Sequence, residues 1–224
     1  AISDAQLEGW DIPIKLRCWR SSMKTMIKKA AAEIQLDVIA SRRTYSLFEW
    51  IEQREREIYP LEKGYMNGPL APPASPIINE PIPLPEAVRG DAWNLTSLSL
   101  GTLKEAESWP IEFRGLLPIN SSKNESIEVP GLRLFSKKRA LALAGWLETL
   151  EPVKLCIEGT RLVLEAGQED RWLVTDLDNK TAQITQDSLL NSKKEADGLQ
   201  FISVQRTPDE ELFTGFWMLR DIIN

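Results

Sequence analysis

Residues 153–177, VKLCIEGTRLVLEAGQEDRWLVTDL, hold three short aliphatic runs separated by turn signals at Gly159 and Gly167. Short apolar runs divided by glycine-containing turns are typical of strands joined by hairpins, so this stretch predicts an antiparallel meander. Three further runs extend the pattern to either side, namely RGDAWNLTSLSL (89–100), LQFISVQR (199–206) and FTGFWML (213–219). We therefore expect a mainly antiparallel sheet in the C-terminal part of the chain.

A helix is expected immediately before the meander, within SKKRALALAGWLETLEP (136–152). Its apolar positions recur at helical spacing, with Ser136 as the predicted N-cap and Pro152 beyond its end. The predicted buried stripe consists of Ala140, Leu143, Ala144, Leu147 and Leu150. Together with the strands, this helix predicts a C-terminal α+β domain over 89–224.

The N-terminal part predicts a smaller α/β lobe over 1–64. PIKLRCW (13–19) alternates in polarity like a half-buried strand, and LDVIASRR (36–43) indicates a second strand. A helix from Ser21 or Ser22 lies between them, and another begins at Thr44 or Ser46 and stops at Pro60 and Gly64. The expected inward-facing residues are Met23, Met26, Ile27, Ala30 and Ile34 in the first helix and Leu47, Ile51 and Ile58 in the second.

A proline-rich stretch, PLAPPASPIINEPIPLP (69–85), separates the two parts and holds seven of the fourteen prolines. Proline cannot occupy a helix interior or a central strand, so this stretch predicts an extended, semi-rigid connector. We place the connector at 65–88, and the overall fold class is α+β.

The charge of the chain is unevenly distributed. The net charge is −6, but residues 15–43 carry eight cations against two carboxylates, a net +6. Such a local basic segment on an acidic protein favours an acidic partner or a nucleic acid.

Several chemistries are not supported by the sequence. No histidine is present, which excludes Ser-His and Cys-His catalysis and His-based zinc sites. The two cysteines, Cys18 and Cys156, form no CxxC pair, and no phosphate-binding glycine motif occurs. The pattern at Ser21–Lys24 matches S-x-x-K but lacks its partner motifs. We therefore expect no metal, no cofactor and no catalytic residues, and no apolar run is long enough to span a membrane.

The basic segment supplies the candidate RNA-binding residues. Arg20, Lys24 and Lys28 recur at i, i+4 and i+8 and therefore share one helix face. Cations follow a nucleic-acid backbone, and aromatic side chains stack on single-stranded bases. The full candidate set here is Arg17, Trp19, Arg20, Lys24, Lys28, Arg42, Arg43 and Tyr45. The alternative is a solvated helix face with aromatic residues in the core.

A second cationic cluster, Lys137, Lys138 and Arg139, precedes the predicted helix of the C-terminal domain. Cations are disfavoured at a helix N-terminus unless an anion binds there. We include these three residues among the RNA-binding candidates, with balance by Glu148 or by acidic loops as the alternative.

Several stretches, taken in order, resemble the Tab/Atab family of RNA-binding translation activators of chloroplasts and cyanobacteria. They are IKLRCWRSSMKTMIKKAAAEI (14–34), SRRTYSLFEWIEQREREIYP (41–60), PLPEAVRGDAW (83–93), VPGLRLFSKKRALALAGWLETLEP (129–152) and ADGLQFISVQ with FTGFWMLRD (196–221). The resemblance runs from about residue 12 to the end. A preceding segment with a W-E-x-D-F-like opening, usual in this family, is missing here.

The resemblance implies an activity, whereas the residues leave alternatives open. It implies binding of A/U-rich leader RNA and promotion of the synthesis of photosystem reaction-centre proteins, without catalysis. No plastid transit sequence is visible, which favours a cyanobacterial cytoplasm, with a chloroplast stroma as the alternative. Translation or photosystem assembly proteins are expected as further partners. The acidic remainder of the chain favours instead a scaffold or assembly protein that acts through protein contacts. A third alternative is a nuclease that uses carboxylate chemistry.

Overall fold

The computed structural model describes residues 4, 7–9, 11, 15–66, 79–119 and 123–221. The chain divides into two compact units, Ala1–Ile77 and Ile78–Asn224. The division falls inside the predicted connector at 65–88, and most of the proline-rich stretch lies outside the described residues. Each unit contains both helices and strands, which confirms the expected α+β class.

The first unit follows the predicted strand–helix–strand–helix order. Its elements are β1 (Lys15–Cys18), α1 (Ser21–Ala32), β2 (Asp37–Ala40) and α2 (Tyr45–Glu57), followed by a 3₁₀ turn at Tyr59–Leu61. The two strands pair in parallel, with Lys15 opposite Asp37 and Cys18 opposite Ala40. A parallel pair requires a crossover connection, and α1 supplies it.

The faces that the helices of the first unit bury differ from the prediction. Met23 and Met26 of α1 are exposed, as are Leu47 of α2 and Ile58 just beyond it, whereas Ala31 is buried. The expected inward stripes are therefore wrong in part. The reason is that a sheet of two four-residue strands covers only a small part of a three-turn helix.

The second unit is built around a five-stranded mixed sheet in the order β4-β6-β10-β11-β5. Its strands are β4 (Ala92–Ser99), β5 (Phe113–Gly115), β6 (Glu128–Phe135), β10 (Leu199–Gln205) and β11 (Gly215–Arg220). The β4–β6 and β10–β11 pairs are antiparallel, while β6–β10 and β11–β5 are parallel. The expectation of a mainly antiparallel sheet is therefore only partly met.

The predicted meander forms a second sheet of this unit, in the order β3-β9-β8-β7. Its strands are β3 (Ile82–Pro83), β7 (Pro152–Glu158), β8 (Arg161–Ala166) and β9 (Asp170–Asp176). The β7–β8 and β8–β9 pairs are antiparallel, as predicted.

The described residues of the second unit also form three α-helices, α3 (Leu100–Lys104), α4 (Ala140–Leu150) and α5 (Asn179–Glu195). Helix α4 buries the predicted residues Ala140, Leu143, Ala144 and Leu147. Helix α5 was not predicted by the sequence pattern. Its buried residues are Ala182, Leu189 and Lys193. One of these three is charged, so the sequence shows no apolar repeat at helical spacing.

Two hydrophobic clusters cover the two faces of the five-stranded sheet. Leu132, Ile202 and Trp217 pack on one face with α4 and the meander strands β7 and β8. Phe201, Phe216 and Met218 pack on the other face with α3. Alternate residues of β10 and β11 therefore belong to different clusters, as strand geometry requires.

Candidate nucleic-acid interface

The first unit brings two cationic segments to one edge of its sheet. Because β1 and β2 are parallel, their carboxyl ends lie at the same edge, and the Ser41 N–H donates to the Cys18 carbonyl at 3.2 Å. Trp19 and Arg20 follow β1, and Arg42 and Arg43 follow β2. In open α/β sheets, ligands bind outside the carboxyl ends of the strands.

The N-terminal ends of both helices follow this edge without acidic residues in their first turns. Arg20, and not Ser21 or Ser22, occupies the N-cap position of α1, and it makes no side-chain cap bond. Thr44 occupies the N-cap position of α2, also without a cap bond. The positive end of each helix dipole therefore lacks a carboxylate in its first turn.

The candidate cations of this unit differ in accessibility. Arg17, Arg20 and Lys28 are exposed, while Lys24 and Arg42 are half-buried. Arg43 is only 8% exposed, and its backbone N–H donates to Ser41 Oγ at 3.0 Å. The three exposed cations can therefore contact a phosphate directly, whereas the side chain of Arg43 is enclosed by protein.

The two candidate aromatic residues also differ in accessibility. Trp19 is 43% exposed, and its ring packs against Phe48 of α2 with the ring centroids 4.7 Å apart. Tyr45, predicted as a stacking residue, is only 8% exposed and presents almost no ring surface to solvent. Trp19 is thus the one of the two that can stack on a base in this conformation.

The cluster at 137–139 lies in a turn ahead of α4, and not in its first turn, since α4 begins at Ala140. Asp91 accepts from the Lys137 N–H at 2.9 Å, from Ser136 Oγ at 3.1 Å and from Arg139 Nη2 at 3.1 Å. These contacts, the Lys137 N–H first, hold the pKa of Asp91 below its usual value. Asp91, and not Glu148, is therefore the carboxylate that pairs with Arg139 of this cluster.

The same contacts show that Ser136 does not cap α4. Its hydroxyl donates to Asp91, and Arg139 occupies the N-cap position without a side-chain cap bond. Arg139 also donates to the Glu86 carbonyl at 2.7 Å. Of the three candidates, Lys137 and Lys138 are exposed, whereas Arg139 is half-buried and paired with Asp91.

A cation–π pair on the first unit, formed by Trp50 and Arg54, is absent from the predicted set of RNA-binding residues. Trp50 of α2 is 52% exposed, and the Arg54 guanidinium lies over its ring, 4.9 Å from the centroid. The i, i+4 spacing of Trp50 and Arg54 is the signal that identifies the pair.

Among the described residues, one group of potential metal ligands lies close together: Cys156, Glu158 and Glu165. Arg171 makes a very short contact with Glu158 and lies 3.7 Å from Glu165. Burial, followed by the charges of Glu165 and Glu158, raises the pKa of the Cys156 thiol to about 12. A protonated thiol beside cation-paired carboxylates is a poor metal ligand.

None of the helices in the described part of the chain is long and apolar enough to cross a lipid bilayer.

Two sequence families match the chain, one over each unit. The family described as "RNA-binding protein Tab2/Atab2, C-terminal domain" matches residues 71–220, and "RNA-binding protein Tab2/Atab2 N terminal" matches residues 1–54. Both descriptions name a class of RNA-binding proteins. The chain belongs to the Tab2/Atab2 family, as the resemblance predicted.

Two curated plant proteins are similar to the chain. The "Protein TAB2 homolog, chloroplastic" of Arabidopsis thaliana is 28% identical over 230 residues, and that of Zea mays is 30% identical over 227 residues. Each alignment covers 96% of this chain but only 59% and 57%, respectively, of the relative. The chain thus spans less than two thirds of the length of these relatives. No solved structure matches it.

Proposed function

We propose that this chain binds A/U-rich single-stranded RNA and promotes translation of photosystem reaction-centre mRNAs, acting by binding and not by catalysis. The observation that carries the proposal is the carboxyl edge of the β1–β2 pair, where Arg20 and Arg42 follow adjacent strand ends. Membership of a family described as RNA-binding supports it. The two similar plant proteins support a chloroplast stroma as the compartment, and a cyanobacterial cytoplasm is the alternative.

Within this proposal the candidate residues take different roles. Arg17, Arg20 and Lys28 hold phosphates, with Lys24 and Arg42 as partly covered contributors. Trp19 stacks on a base through the part of its ring that Phe48 leaves open. Arg43 and Tyr45 support the edge from within the unit, because their side chains are buried. Lys137 and Lys138 are further phosphate contacts on the second unit.

A salt titration of RNA affinity tests the proposal. Fluorescence anisotropy with a labelled A/U-rich 12-mer compares wild type with the Arg20→Ala/Arg42→Ala double variant. We expect weaker binding and a salt slope that falls by about 0.7 for each phosphate that the variant no longer neutralises. Arg206→Ala removes an exposed arginine of the second unit and serves as the control. Equal affinity and slope in the double variant and wild type would contradict the role of the edge.

A cavity on the second unit favours a second candidate function, a scaffold for photosystem assembly that contacts other proteins. The cavity has a volume of about 350 Å³, with Leu98, Phe201 and Phe213 among its lining residues. Asp209 and Glu211 also line it, and both are exposed. Three carboxylates, against the single cation of Arg133, border its aliphatic and aromatic lining, which suits a basic protein segment that carries an apolar side chain.

Pull-down after nuclease treatment tests this second candidate. The baits are wild type and the double variant Asp209→Asn/Glu211→Gln, which removes two carboxylates from the cavity. The control bait is Glu105→Gln/Glu107→Gln, which removes the same charge from residues that do not line the cavity. Partners that survive nuclease and disappear only with the cavity variant favour the scaffold function. Partners that disappear on nuclease treatment of wild type count against it.

A further inference from the structure

Helix α2 presents an exposed stripe that the proposed function does not yet use. At 100° per residue, Leu47, Trp50, Arg54 and Ile58 fall within an arc of about 80°. Leu47, Trp50 and Ile58 are all exposed large side chains. An exposed tryptophan at the edge of such a stripe is the residue type that anchors binding surfaces.

The guanidinium of Arg54 lies over two aromatic rings, that of Trp50 in the stripe and that of Tyr59 just beyond α2. Its carbon lies 4.9 Å from the centroid of Trp50 and 5.2 Å from that of Tyr59. Tyr59 belongs to the 3₁₀ turn that follows α2. Contacts with both rings restrict the rotamers of Arg54 and help to orient Trp50.

The carboxylates of α2 mostly lie away from this stripe. On the helical wheel, Glu49 and Glu52 project from the opposite side of the helix. Glu57, at the border of the stripe, accepts from Gln53 Nε2 at 3.1 Å and from Arg56 Nη2 at 3.0 Å. Arg54 is therefore the charged residue at the centre of the stripe, on a helix that carries four glutamates and two arginines in all.

We propose that Trp50, backed by Arg54, is a stacking platform for one nucleobase of single-stranded RNA. The inference rests on the proposed RNA-binding function. It adds a contact that is made to a base and not to a phosphate. Every nucleobase has a π-face, so the platform tolerates any base and lends affinity more than specificity. The Arg54 guanidinium supplies positive charge beside the stacked ring.

A stacking contact differs from a phosphate contact in its salt dependence. Removal of a phosphate-binding arginine changes the slope of affinity against salt, because fewer counterions are released. Removal of a stacking ring lowers affinity by a similar factor at every salt concentration. The platform and the cationic edge therefore give separate signatures in one experiment.

The test uses the full chain, a fluorescein-labelled A/U-rich 12-mer and an abasic 12-mer with the same phosphate backbone. We expect Trp50→Ala to weaken binding of the A/U-rich 12-mer at least about fivefold with an unchanged salt slope. Trp50→Phe should keep most of the affinity, and Trp50→Ala should not alter binding of the abasic strand. Trp93→Ala, at a 38% exposed tryptophan of the second unit, should behave as wild type.

Crosslinking with a 4-thiouridine-substituted 12-mer provides a measurement that needs no variant, and crosslinks should map to the peptide that contains Trp50. If wild type binds the A/U-rich 12-mer and Trp50→Ala binds it with the same affinity, the stacking platform is overturned, while the proposed RNA-binding function stands. An equal weakening for the abasic strand also overturns the platform, as does a Trp50-dependent protein partner with RNA affinity unchanged. If wild type binds no RNA at any salt concentration, the proposed function fails and the platform fails with it.

Discussion

Lys193 of α5 donates to Asp221, which follows β11, at 3.0 Å, although Lys193 is only 3% exposed. Its ammonium also donates to the Leu155 carbonyl of β7 at 2.6 Å. One buried cation thus joins a helix, a meander strand and the segment after the last strand. Lys154 lies 3.3 Å from the same carboxylate, so Asp221 balances two lysines.

Removal of Asp221 is therefore expected to destabilise the second unit. Asp221→Ala leaves Lys193 buried without its counter-ion and should lower the free energy of unfolding by about 3 kcal/mol, the lower end for a broken buried pair. Lys193→Met keeps the aliphatic stem without the charge and should cost less. Urea unfolding followed by circular dichroism measures both, and equal costs would contradict the role of the unpaired charge.

Gly198 should tolerate alanine less well than Gly159. Both residues have positive φ, +76° and +60°, so alanine costs about 1–2 kcal/mol at either site. At Gly198 the added Cβ would also overlap the Asp221 carbonyl oxygen, whereas nothing lies within 4 Å at Gly159. We expect a further destabilisation of about 1–3 kcal/mol for Gly198→Ala. Thermal unfolding of the two variants side by side checks this difference.

Asp91 should contribute stability that depends on pH. Hydrogen bonds from the Lys137 N–H, Arg139 and Ser136 lower its pKa below the ordinary 3.8 in the folded chain. A lowered carboxyl pKa stabilises the fold above the unfolded value, and that contribution is lost as the pH falls through the folded value. The free energy of unfolding of Asp91→Asn should therefore be lower than that of wild type at pH 7, and the difference between the two should become smaller below about pH 4. A difference of constant size would contradict this.

Cys156 should be unreactive in the folded chain. Burial and the neighbouring carboxylates raise its pKa to about 12, so almost no thiolate exists at pH 8. In a Cys18→Ser background we expect negligible alkylation by iodoacetamide at pH 8, and full alkylation in concentrated urea. Mass spectrometry of the intact protein measures both states. Rapid alkylation of the folded protein would show that the thiol is ionised.

Local patterns of the sequence predicted those elements that local patterns control. The alternation and turns of 153–177 predicted β7, β8 and β9, and the helical stripe from Ala140 to Leu147 predicted α4. The order of elements in the first unit followed from the same two periodicities. Strands β7 and β8 and helix α4 could be predicted because each buries a continuous apolar face.

Pairings between distant residues could not be predicted from local patterns. The acceptor for Ser136 is Asp91, 45 residues away, so the predicted cap of α4 could not be judged from its own segment. Helix α5 escaped prediction because Lys193 occupies one of its buried positions. In the candidate interface, the basic residues were visible in the sequence. The burial of Arg43 and Tyr45 and the exposure of Trp50 depend on packing that a short parallel pair leaves incomplete.

The neighbouring strands β6 and β10 of the five-stranded sheet pair in parallel, although α4, the meander and α5 lie between them in the sequence. Such a pairing raises the contact order, since the chain must close a long loop before these two strands can meet. During synthesis, β6 leaves the ribosome well before its partner and keeps one edge unpaired. The five-stranded sheet is therefore complete only after its last two strands, β10 and β11, are synthesised, and until then the nascent chain carries an unpaired strand edge of the kind that promotes aggregation.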